Sequence, residues 1–327
     1  MKTPLVTDPI IALVGPTGTG KSALALDLAE ALDAEIVNAD ASQLFRGMDI
    51  GTAKLLPSQR RGIRHHQLDV LDVTMETSVA AYQRAARADL ADIRARGHRA
   101  LLVGGSGLYV RSVLDDLEIP PRDTAVRDHF EAYAAQHGAQ AAHLLLQAAD
   151  PVAAQRILPT NTRRVVRALE VVELTGRPFS ATLPVRQYLL PTITLGLALD
   201  RPTLDERLAR RAESMWAQGL LDEVRTLLGQ GLAQGPTALR AIGYQQALAQ
   251  LDGILGEGEA IAATVAATRR LVRRQESWWR PDPRVHWLPA EDADLLGSAL
   301  AVVAAGVGEN GAHDQDAAFH QGPRDAQ

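Results

Sequence analysis

The hydrophobic pattern of this chain alternates between short apolar runs and longer stretches with helical periodicity. The short runs predict strands at residues 10–14, 35–38, 65–70, 100–103, 193–199 and 285–288. A continuous apolar run such as Ile10–Val14 is typical of a parallel strand that is buried on both faces. Elsewhere apolar residues recur at helical spacing, as Leu24, Leu28 and Leu32 do. The pattern predicts an α/β fold in which a parallel sheet is flanked by helices.

The stretch from residue 120 to residue 190 differs from the rest of the chain. It begins at Pro120-Pro121 and carries helical patterns without a convincing strand. One of its helices is predicted to end at Thr175, because Gly176 follows as a stop signal. Beyond residue 306 the apolar content falls, which favours disorder. The expected order is a first core part, an all-helical insertion, a second core part and a disordered tail, at residues 1–119, 120–190, 191–305 and 306–327.

The most specific motif lies directly after the first apolar run. It has the G-x-x-x-x-G-K-S signature of a phosphate-binding loop. Glycines let backbone N–H groups turn toward an anion, and the following helix adds its positive dipole end. A glycine-rich turn that binds nothing is the alternative, but a strand and a helix flank the motif as the signature requires. The sequence therefore predicts a P-loop NTPase-like sheet and a site for diphosphate or triphosphate at Gly15, Pro16, Thr17, Gly18, Thr19, Gly20, Lys21 and Ser22.

An acidic residue, Asp40, follows the second predicted strand. Ligands of parallel sheets bind beyond the carboxyl ends of the strands, so Asp40 is expected to face the same crevice as the phosphate-binding loop. It could hold Mg²⁺ through water or accept a proton. It could also simply cap the turn that begins at Ser42. By position alone these alternatives stay open.

A second glycine-rich turn, Gly104-Gly105-Ser106-Gly107, follows the strand at 100–103. Residues this small let a large ligand approach the backbone. The alternative is a tight packing turn. Residues 46–54 are interrupted by Gly47 and Gly51 and are predicted to form a loop over the site.

Arginines form stripes on three predicted helices. In the helical insertion, Arg163, Arg164 and Arg167 lie opposite an apolar face, and Glu170 is near enough to offset one of them. A second group follows Pro202, at Arg207, Arg210 and Arg211. The last long helix carries Arg269, Arg270, Arg273, Arg274 and Arg280 opposite Leu271, Val272, Trp278 and Trp279. Such stripes are either solvated faces or contacts to a polyanion. A small-molecule kinase would need the arginines at 207, 210 and 211, but it does not need the stripes on the insertion and on the last helix.

Composition narrows the class of partner. The net charge is −5 over 327 residues, so any positive surface must be local, as expected for a protein that grips one RNA hairpin. There is no cysteine, which excludes disulfides and thiolate metal sites. No apolar stretch is long enough to span a membrane and no signal-peptide pattern is seen. We expect a cytoplasmic protein without a membrane partner, and a monomer.

The ordered motifs resemble those of the tRNA dimethylallyltransferases, also called the IPP transferase family. The resemblance covers residues 9–290. Beyond the phosphate-binding loop it is carried by segments that follow in order, at Asp40-Ala41-Ser42-Gln43, Gly47–Lys54, Gly104–Tyr109, Arg163–Glu170 and Ile242-Gly243-Tyr244. The stretch from Gly47 to Lys54 is more specific than the loop itself. The chain departs from the family at Ala41 and Ser106, where Ser and Thr are frequent, and at Arg163, where Gln is frequent.

The resemblance implies an activity and a set of roles. The family transfers the dimethylallyl group of dimethylallyl diphosphate to N6 of adenine 37 in tRNA. The loop would then hold the prenyl diphosphate rather than ATP, with Mg²⁺ on Ser22 and added charge from Arg211, and Asp40 would accept the N6 proton. The residues implied to contact tRNA are Asp40, Ala41, Ser42, Gln43, Ser106, Arg127, Arg163, Arg164, Val165, Val166, Arg167, Arg240, Ile242, Gly243, Tyr244, Arg273 and Arg274.

Two other functions are compatible with a phosphate-binding loop. A kinase of a nucleoside or another small acceptor would turn over ATP without RNA, and it leaves the arginine stripes unexplained. A non-catalytic RNA-binding NTP switch leaves Asp40 and the loop at 46–54 unexplained. The sequence therefore favours the prenyl transferase.

Overall fold

A parallel six-stranded sheet forms the centre of the larger of two compact units. The structure is a computed structural model, and it describes residues 8–182 and 186–319. The sheet order is β3-β2-β4-β1-β5-β6, so β1 lies between β4 and β5 in the middle of the sheet. The strands are β1 Ile10–Val14, β2 Ala34–Asn38, β3 His65–His66, β4 Arg99–Val103, β5 Thr192–Ala198 and β6 Val285–Pro289. The predicted fold class is confirmed.

The helices of this unit cover the sheet and build a further cluster beside it. They are α1 Lys21–Leu32, α2 Val79–Ala95, α3 Gly107–Leu114, α8 Arg201–Ala217, α9 Leu220–Gly229, α10 Tyr244–Leu251, α11 Glu257–Trp279 and α12 Leu295–Phe319. Their ends follow local chemistry. The Ser78 hydroxyl accepts the N–H of Ala81 to begin α2, and Asp200 caps α8 in the same way. Within the described residues, the helices are all too short or too polar to cross a membrane.

Apolar side chains on the two faces of the sheet form separate cores. Ile10, Ala12 and Val14 point to the face covered by α2 and α3, whereas Ile11 and Leu13 point to the face covered by α1 and α12. This alternation is the period of two of a strand, and both faces are buried as the continuous apolar runs predicted. A third core joins α8, α9, α10 and the segment 45–50. Because the strands are parallel and packed on both faces, the sheet holds their carboxyl ends together on one side.

The smaller unit spans residues 115–187 and is helical where it is described. Its helices are α4 Thr124–His137, α5 Ala139–Ala149, α6 Pro151–Arg156 and α7 Thr162–Thr175. Helix α7 ends where predicted, with Gly176 in the left-handed region at φ +65°. The unit begins and ends a few residues before the predicted insertion limits of 120 and 190. The tRNA contacts that the resemblance implies for residues of this unit stay predictions.

Two sequence predictions differ from the structure. The third strand stops at His66 rather than residue 70, because Gln67 and Asp69 adopt φ +57°, which no strand residue can keep. Residues 306–319, predicted to be disordered, continue α12. The rest of the predicted tail, residues 320–327, lies outside the described residues.

Candidate active site

The phosphate-binding loop turns between β1 and α1 with its glycines in the left-handed region. The φ angles are +133° at Gly15, +87° at Gly18 and +93° at Gly20, where a side chain strains the backbone. A Cβ at Gly15 would lie 2.7 Å from the carbonyl oxygen of Leu197 on β5. The tight fit of the first glycine against β5 therefore fixes where the loop begins.

Lys21 lies at the start of α1 and points back over the loop. Its Nζ donates a hydrogen bond to the carbonyl of Pro16 at 2.6 Å. Burial lowers the pKa of Lys21 from 10.5 to about 8, although the Asp40 carboxylate opposes this shift and Arg211 adds to it. A cation with little water and no contacting carboxylate favours an incoming anion. The site therefore has positive charge that an anion such as diphosphate could neutralise.

Arg211 enters the site from α8. Its Nη1 donates to the Thr17 hydroxyl at 2.9 Å and its Nη2 to the Thr52 carbonyl at 3.3 Å. Burial lowers its pKa and Asp40 partly offsets this, but a guanidinium stays protonated. The neighbouring arginines of the predicted group turn away into ion pairs, Arg207 with Glu291 and Arg210 with Glu206.

Asp40 begins a short turn after β2. Its Oδ1 accepts hydrogen bonds from the Ser42 N–H at 3.0 Å and the Ser42 hydroxyl at 2.6 Å. Asn38 brackets the backbone of Asp40, since its amide oxygen accepts the Asp40 N–H and its amide nitrogen donates to the Asp40 carbonyl, both at 3.0 Å. The capping role left open by the sequence is therefore confirmed. Asp40 also lines both cavities described next, so capping does not withdraw it from the site.

Two adjoining cavities meet around Asp40 and Arg211. The first, of about 240 Å³, is lined by the phosphate-binding loop, including Lys21 and Ser22. The second, of about 380 Å³, adds apolar side chains from α8 and the following segments. Both are lined by Thr17, Asp40, Thr52, Arg211 and Gln275. A phosphate site thus adjoins a larger, partly apolar space, and the charged side chains of Asp40 and Arg211 line both.

Gln275 on α11 is a site residue that the sequence reasoning missed. Its side-chain oxygen accepts the backbone N–H of Thr17 at 2.9 Å, and the residue is only 7% exposed. A signal was present, because Gln275 lies three residues after Val272 and four before Trp279, both buried. A polar residue at that spacing points into the protein and must find a partner there.

The second glycine-rich turn packs tightly against three neighbours. A Cβ on Gly104 would lie 2.5 Å from the Ala39 carbonyl oxygen, and one on Gly105 would lie 2.2 Å from the Gln275 amide nitrogen. Gly107 has the same constraint against Trp278. The packing alternative is therefore confirmed. Gly104 and Gly105 also line the first cavity, so small size serves the site as well.

Comparison with known proteins decides the family. The family model described as IPP transferase matches residues 43–282. The chain belongs to the IPP transferase family. A tRNA dimethylallyltransferase of Streptomyces avermitilis is 57% identical over 286 residues, covering 88% of this chain and 92% of the relative. Another, from Salinispora arenicola, is 56% identical over 296 residues, covering 90% and 86%.

Solved structures of the family agree with the fold. The full-length tRNA isopentenylpyrophosphate transferase of Bacillus halodurans superposes with a TM-score of 0.69 at 34% identity, over 94% of this chain and 100% of that chain. A eukaryotic dimethylallyltransferase solved acting on tRNA gives a TM-score of 0.78 at 24% identity, over 94% and 80%, which shows the fold alone.

Several residues implied by the IPP transferase resemblance to contact tRNA do line the second cavity of the larger unit. They are Asp40, Ala41, Ser42, Ser106, Arg240, Ile242 and Arg274. Gln43 lines the first cavity and donates to the Thr52 carbonyl at 3.1 Å. Arg273 is exposed on α11. These positions leave a contact with RNA open to them.

Other residues in that set have structural partners instead. Val165 and Val166 are buried in the core of the helical unit, so their side chains do not reach a ligand. Gly243 and Tyr244 are buried beside the segment 49–51. For these four positions the implied tRNA contact stays a prediction, and it would have to come from the backbone, because each side chain or Cα packs inward.

The arginines of the helical unit also divide into two groups. Arg163 and Arg164 are exposed on α7. Arg167 instead pairs with the fully buried Glu170 at 2.9 Å and donates to the carbonyls of Pro120 and Pro121, each at 2.8 Å. Arg127 pairs with the same Glu170 at 2.6 Å. Structural pairing therefore occupies two of the four arginines in the helical unit that are implied to bind tRNA.

Proposed function

We propose that this IPP transferase transfers the dimethylallyl group from dimethylallyl diphosphate to N6 of adenine 37 in tRNA, with release of diphosphate. The observation that carries the proposal is the meeting of the phosphate-binding loop, Arg211 and Asp40 where the two cavities adjoin. The relatives at 54–57% identity are named tRNA dimethylallyltransferases. Prenyl transfer needs these three features, because the loop and Arg211 can hold the leaving diphosphate while Asp40 accepts a proton beside it.

The transfer step follows from the chemistry of the two reactants. The N6 lone pair forms a bond to C1 of the allylic donor while the C1–O bond breaks and its electrons leave with diphosphate. The amine is a weak nucleophile because its lone pair is conjugated with the ring. Asp40 accepts the N6 proton, which raises the electron density at nitrogen as the bond forms. Adenine must leave the base stack to reach this position.

Neutralising the charge on the leaving group is the main way in which the site can lower the barrier to transfer. Diphosphate departs with negative charge that grows on its oxygens, so fixed cations and N–H groups lower the barrier. Lys21 and Arg211 both line the first cavity, and the loop supplies backbone N–H groups around it. The Thr17 hydroxyl and the Thr52 carbonyl orient Arg211 before any ligand binds.

The oxygen donors of the first cavity suit Mg²⁺. Mg²⁺ prefers oxygen ligands, keeps several waters and is commonly bound through one or two protein oxygens plus substrate phosphates. The Ser22 hydroxyl and the Asp40 carboxylate both line this cavity, and across residues 8–182 and 186–319 no cluster of His, Asp and Glu forms a complete metal cage. We propose that Ser22 holds Mg²⁺ together with the diphosphate. When bound, the ion neutralises part of the leaving-group charge.

The loop is proposed to select dimethylallyl diphosphate over ATP. The phosphate signature does not discriminate between them, but the second cavity, which Asp40 also lines, adds Leu208, Met215 and Ile242. An apolar lining suits a five-carbon chain. Competition binding with Mg²⁺ and tRNA present tests the choice, and ATP that displaces the prenyl donor at equal concentration would contradict it.

The decisive experiment is direct detection of the product. Purified protein is incubated with unmodified tRNA carrying adenine 37, dimethylallyl diphosphate and Mg²⁺, and the nucleosides are analysed by mass spectrometry. We expect one dimethylallyl group on N6 of that adenosine. A tRNA with guanosine at position 37 serves as the matched control. ATP consumption with a small acceptor and no prenylated tRNA would instead support the kinase alternative.

A further inference from the structure

A carboxylate on α9 holds three consecutive backbone N–H groups of the glycine-rich segment 47–54. Glu223 Oε2 accepts from the N–H of Asp49 at 3.1 Å and of Ile50 at 2.7 Å, and Oε1 accepts from Gly51 at 3.2 Å. Bonds to an ionised acceptor are about twice as strong as neutral ones. The segment is therefore fixed by a residue more than 170 positions away.

Tyr244 completes the arrangement from α10. Its hydroxyl donates to Glu223 Oε1 at 2.6 Å, and its ring is fully buried against Gly51. A Cβ on Gly51 would lie 2.5 Å from that ring, so only glycine permits the contact. Burial and the neighbouring carboxylate raise the pKa of Tyr244, so the phenol stays protonated and keeps donating.

The next residue along the chain carries this order into the active site. The Thr52 carbonyl accepts from Arg211 Nη2 at 3.3 Å and from Gln43 at 3.1 Å. Since Thr52 directly follows the three held N–H groups, their position constrains the position of its carbonyl. Lys54 anchors the far end, donating to Phe45, Asp49 and Asp69. Loss of one anchor should therefore tilt the segment without unfolding it.

We infer that Glu223 is a positioning residue that sets the orientation of the Arg211 guanidinium through residues 49–52. Glu223 lines neither cavity, so its structural link to the site runs through this segment. The inference rests on the proposed function, because that function assigns Arg211 the role of neutralising charge on the leaving diphosphate. It also predicts an effect on inorganic diphosphate binding that needs no tRNA and no transfer.

The test is a double-mutant cycle between Glu223→Gln and Arg211→Gln. Gln keeps the size of Glu but replaces one carboxylate oxygen with an NH₂ group. That group cannot accept the hydrogen bonds that the oxygen accepts from its N–H or O–H donors. Loss of such bonds is worth about 1.5 to 3 kcal/mol, or about tenfold to a hundredfold in a binding constant. We expect Glu223→Gln to weaken inorganic diphosphate binding about tenfold by calorimetry and to slow single-turnover transfer at saturating tRNA. In the Arg211→Gln background it should change either value less than about twofold.

The sign of the effect separates positioning from simple electrostatics. Removing a negative charge near an anion site should by itself strengthen diphosphate binding, so weakening indicates a misplaced Arg211. Glu213→Gln is the matched control, because Glu213 is an exposed carboxylate on the same helix as Arg211; it should leave binding nearly unchanged. Tyr244→Phe keeps the Glu223 charge and removes one donor, so a smaller weakening is expected.

Three results would overturn the inference. They are stronger or unchanged diphosphate binding by folded Glu223→Gln, losses that multiply in the double variant, and a Tyr244→Phe variant with lower thermal stability but wild-type diphosphate affinity. If Glu223→Gln does not fold, Tyr244→Phe in both Arg211 backgrounds decides the matter. A wild-type protein that binds diphosphate but does not prenylate tRNA would contradict the proposed function and leave the binding cycle valid.

Discussion

The Arg211 guanidinium donates a hydrogen bond to the hydroxyl of Thr17 at 2.9 Å, across 194 residues of sequence. It ties helix α8 to the phosphate-binding loop before any anion is present. Arg211 therefore needs little reorganisation to meet charge that develops on a leaving group, which is the condition for strong electrostatic stabilisation. The predictions below follow from this site and from the pairings around it.

Diphosphate affinity should fall as the pH rises above about 8. Burial gives Lys21 a pKa of about 8 in the free protein, so Lys21 loses its proton at lower pH than an exposed lysine does. A bound anion favours the protonated form, hence affinity is full below the free-protein pKa and falls up to about tenfold per pH unit above it. Calorimetry with inorganic diphosphate from pH 6.5 to 9.5, a window of about three units around that pKa, measures the curve.

The matched control for the pH dependence is Lys21→Arg. A guanidinium stays charged over the same window, so its affinity should be lower overall but nearly flat with pH. If both proteins lose affinity in parallel above pH 8, the decline comes from another group. A flat wild-type curve would contradict the prediction directly.

Asp40→Asn should abolish most of the transfer and little of the stability. Asn can still accept the Ser42 N–H that the Asp40 side chain accepts now, so the cap is kept. It cannot hold a proton, and general-base catalysis is worth about a hundredfold to ten-thousandfold. Single-turnover prenyl transfer and diphosphate affinity should be measured on the same preparation.

Ser42→Ala separates the cap from the base. It removes the 2.6 Å bond from the Ser42 hydroxyl to Asp40 but keeps the backbone bond. We expect modest loss of transfer, far less than in the Asn variant. Near-normal transfer by Asp40→Asn would remove Asp40 from the chemistry, and weakened Mg²⁺-dependent diphosphate binding would instead identify a metal ligand.

Arg163 and Arg164 should contribute to tRNA binding, whereas Arg167 should contribute to folding. The first two are exposed, but Arg167 is bonded to Glu170 and two carbonyls. The Arg163→Ala/Arg164→Ala variant should weaken tRNA binding and reduce the magnitude of the salt slope by about 0.7 to 0.9 for each lost phosphate contact. Saturating tRNA should restore turnover.

Arg167→Ala gives the complementary result. Glu170 is fully buried and would lose one cationic partner, but it keeps Arg127 and the Asp123 N–H, so the expected cost is up to about 3 kcal/mol. Thermal unfolding should show the loss, with little change in the salt slope. The assignment is contradicted if Arg167→Ala changes the slope as much as the double variant does, or if the double variant leaves tRNA affinity unchanged.

Acid should remove a specific contribution of Glu35 to stability. The hydrogen bond from Arg96, against desolvation and with help from His66 at 2.6 Å, lowers the pKa of Glu35 from 4.5 to about 2. Because the folded pKa is depressed, the contribution is present above pH 4.5 and is lost as the pH falls toward 2. A shift of this size corresponds to about 3 kcal/mol for this 7% exposed residue.

Chemical denaturation of wild type and Glu35→Gln between pH 7 and about pH 3 measures this contribution. The stability difference between them should shrink as the pH falls. A difference that stays constant over the range would show that Glu35 acts through packing or hydrogen bonding independent of its charge.

The sequence by itself determined the features that depend on neighbours along the chain. The loop from Gly15 to Ser22 could be read directly, because its glycines, Lys21 and the flanking strand and helix are local. The sheet strands followed from continuous apolar runs, and the end of α7 from Gly176. Asp40 was placed at the site because parallel strands share one carboxyl edge. Each rests on periodicity or on one short motif.

The tertiary structure alone decided which polar residues meet across the chain. Gln275 reaches Thr17 over 258 residues, and Glu223 reaches Ile50 over 173; neither spacing leaves a motif. The same limit explains why the family resemblance could not show that the side chains of Val165, Val166 and Tyr244 pack inward. Whether a side chain in a recognised segment faces a ligand or the core depends on what packs against it, and packing partners lie far away in sequence.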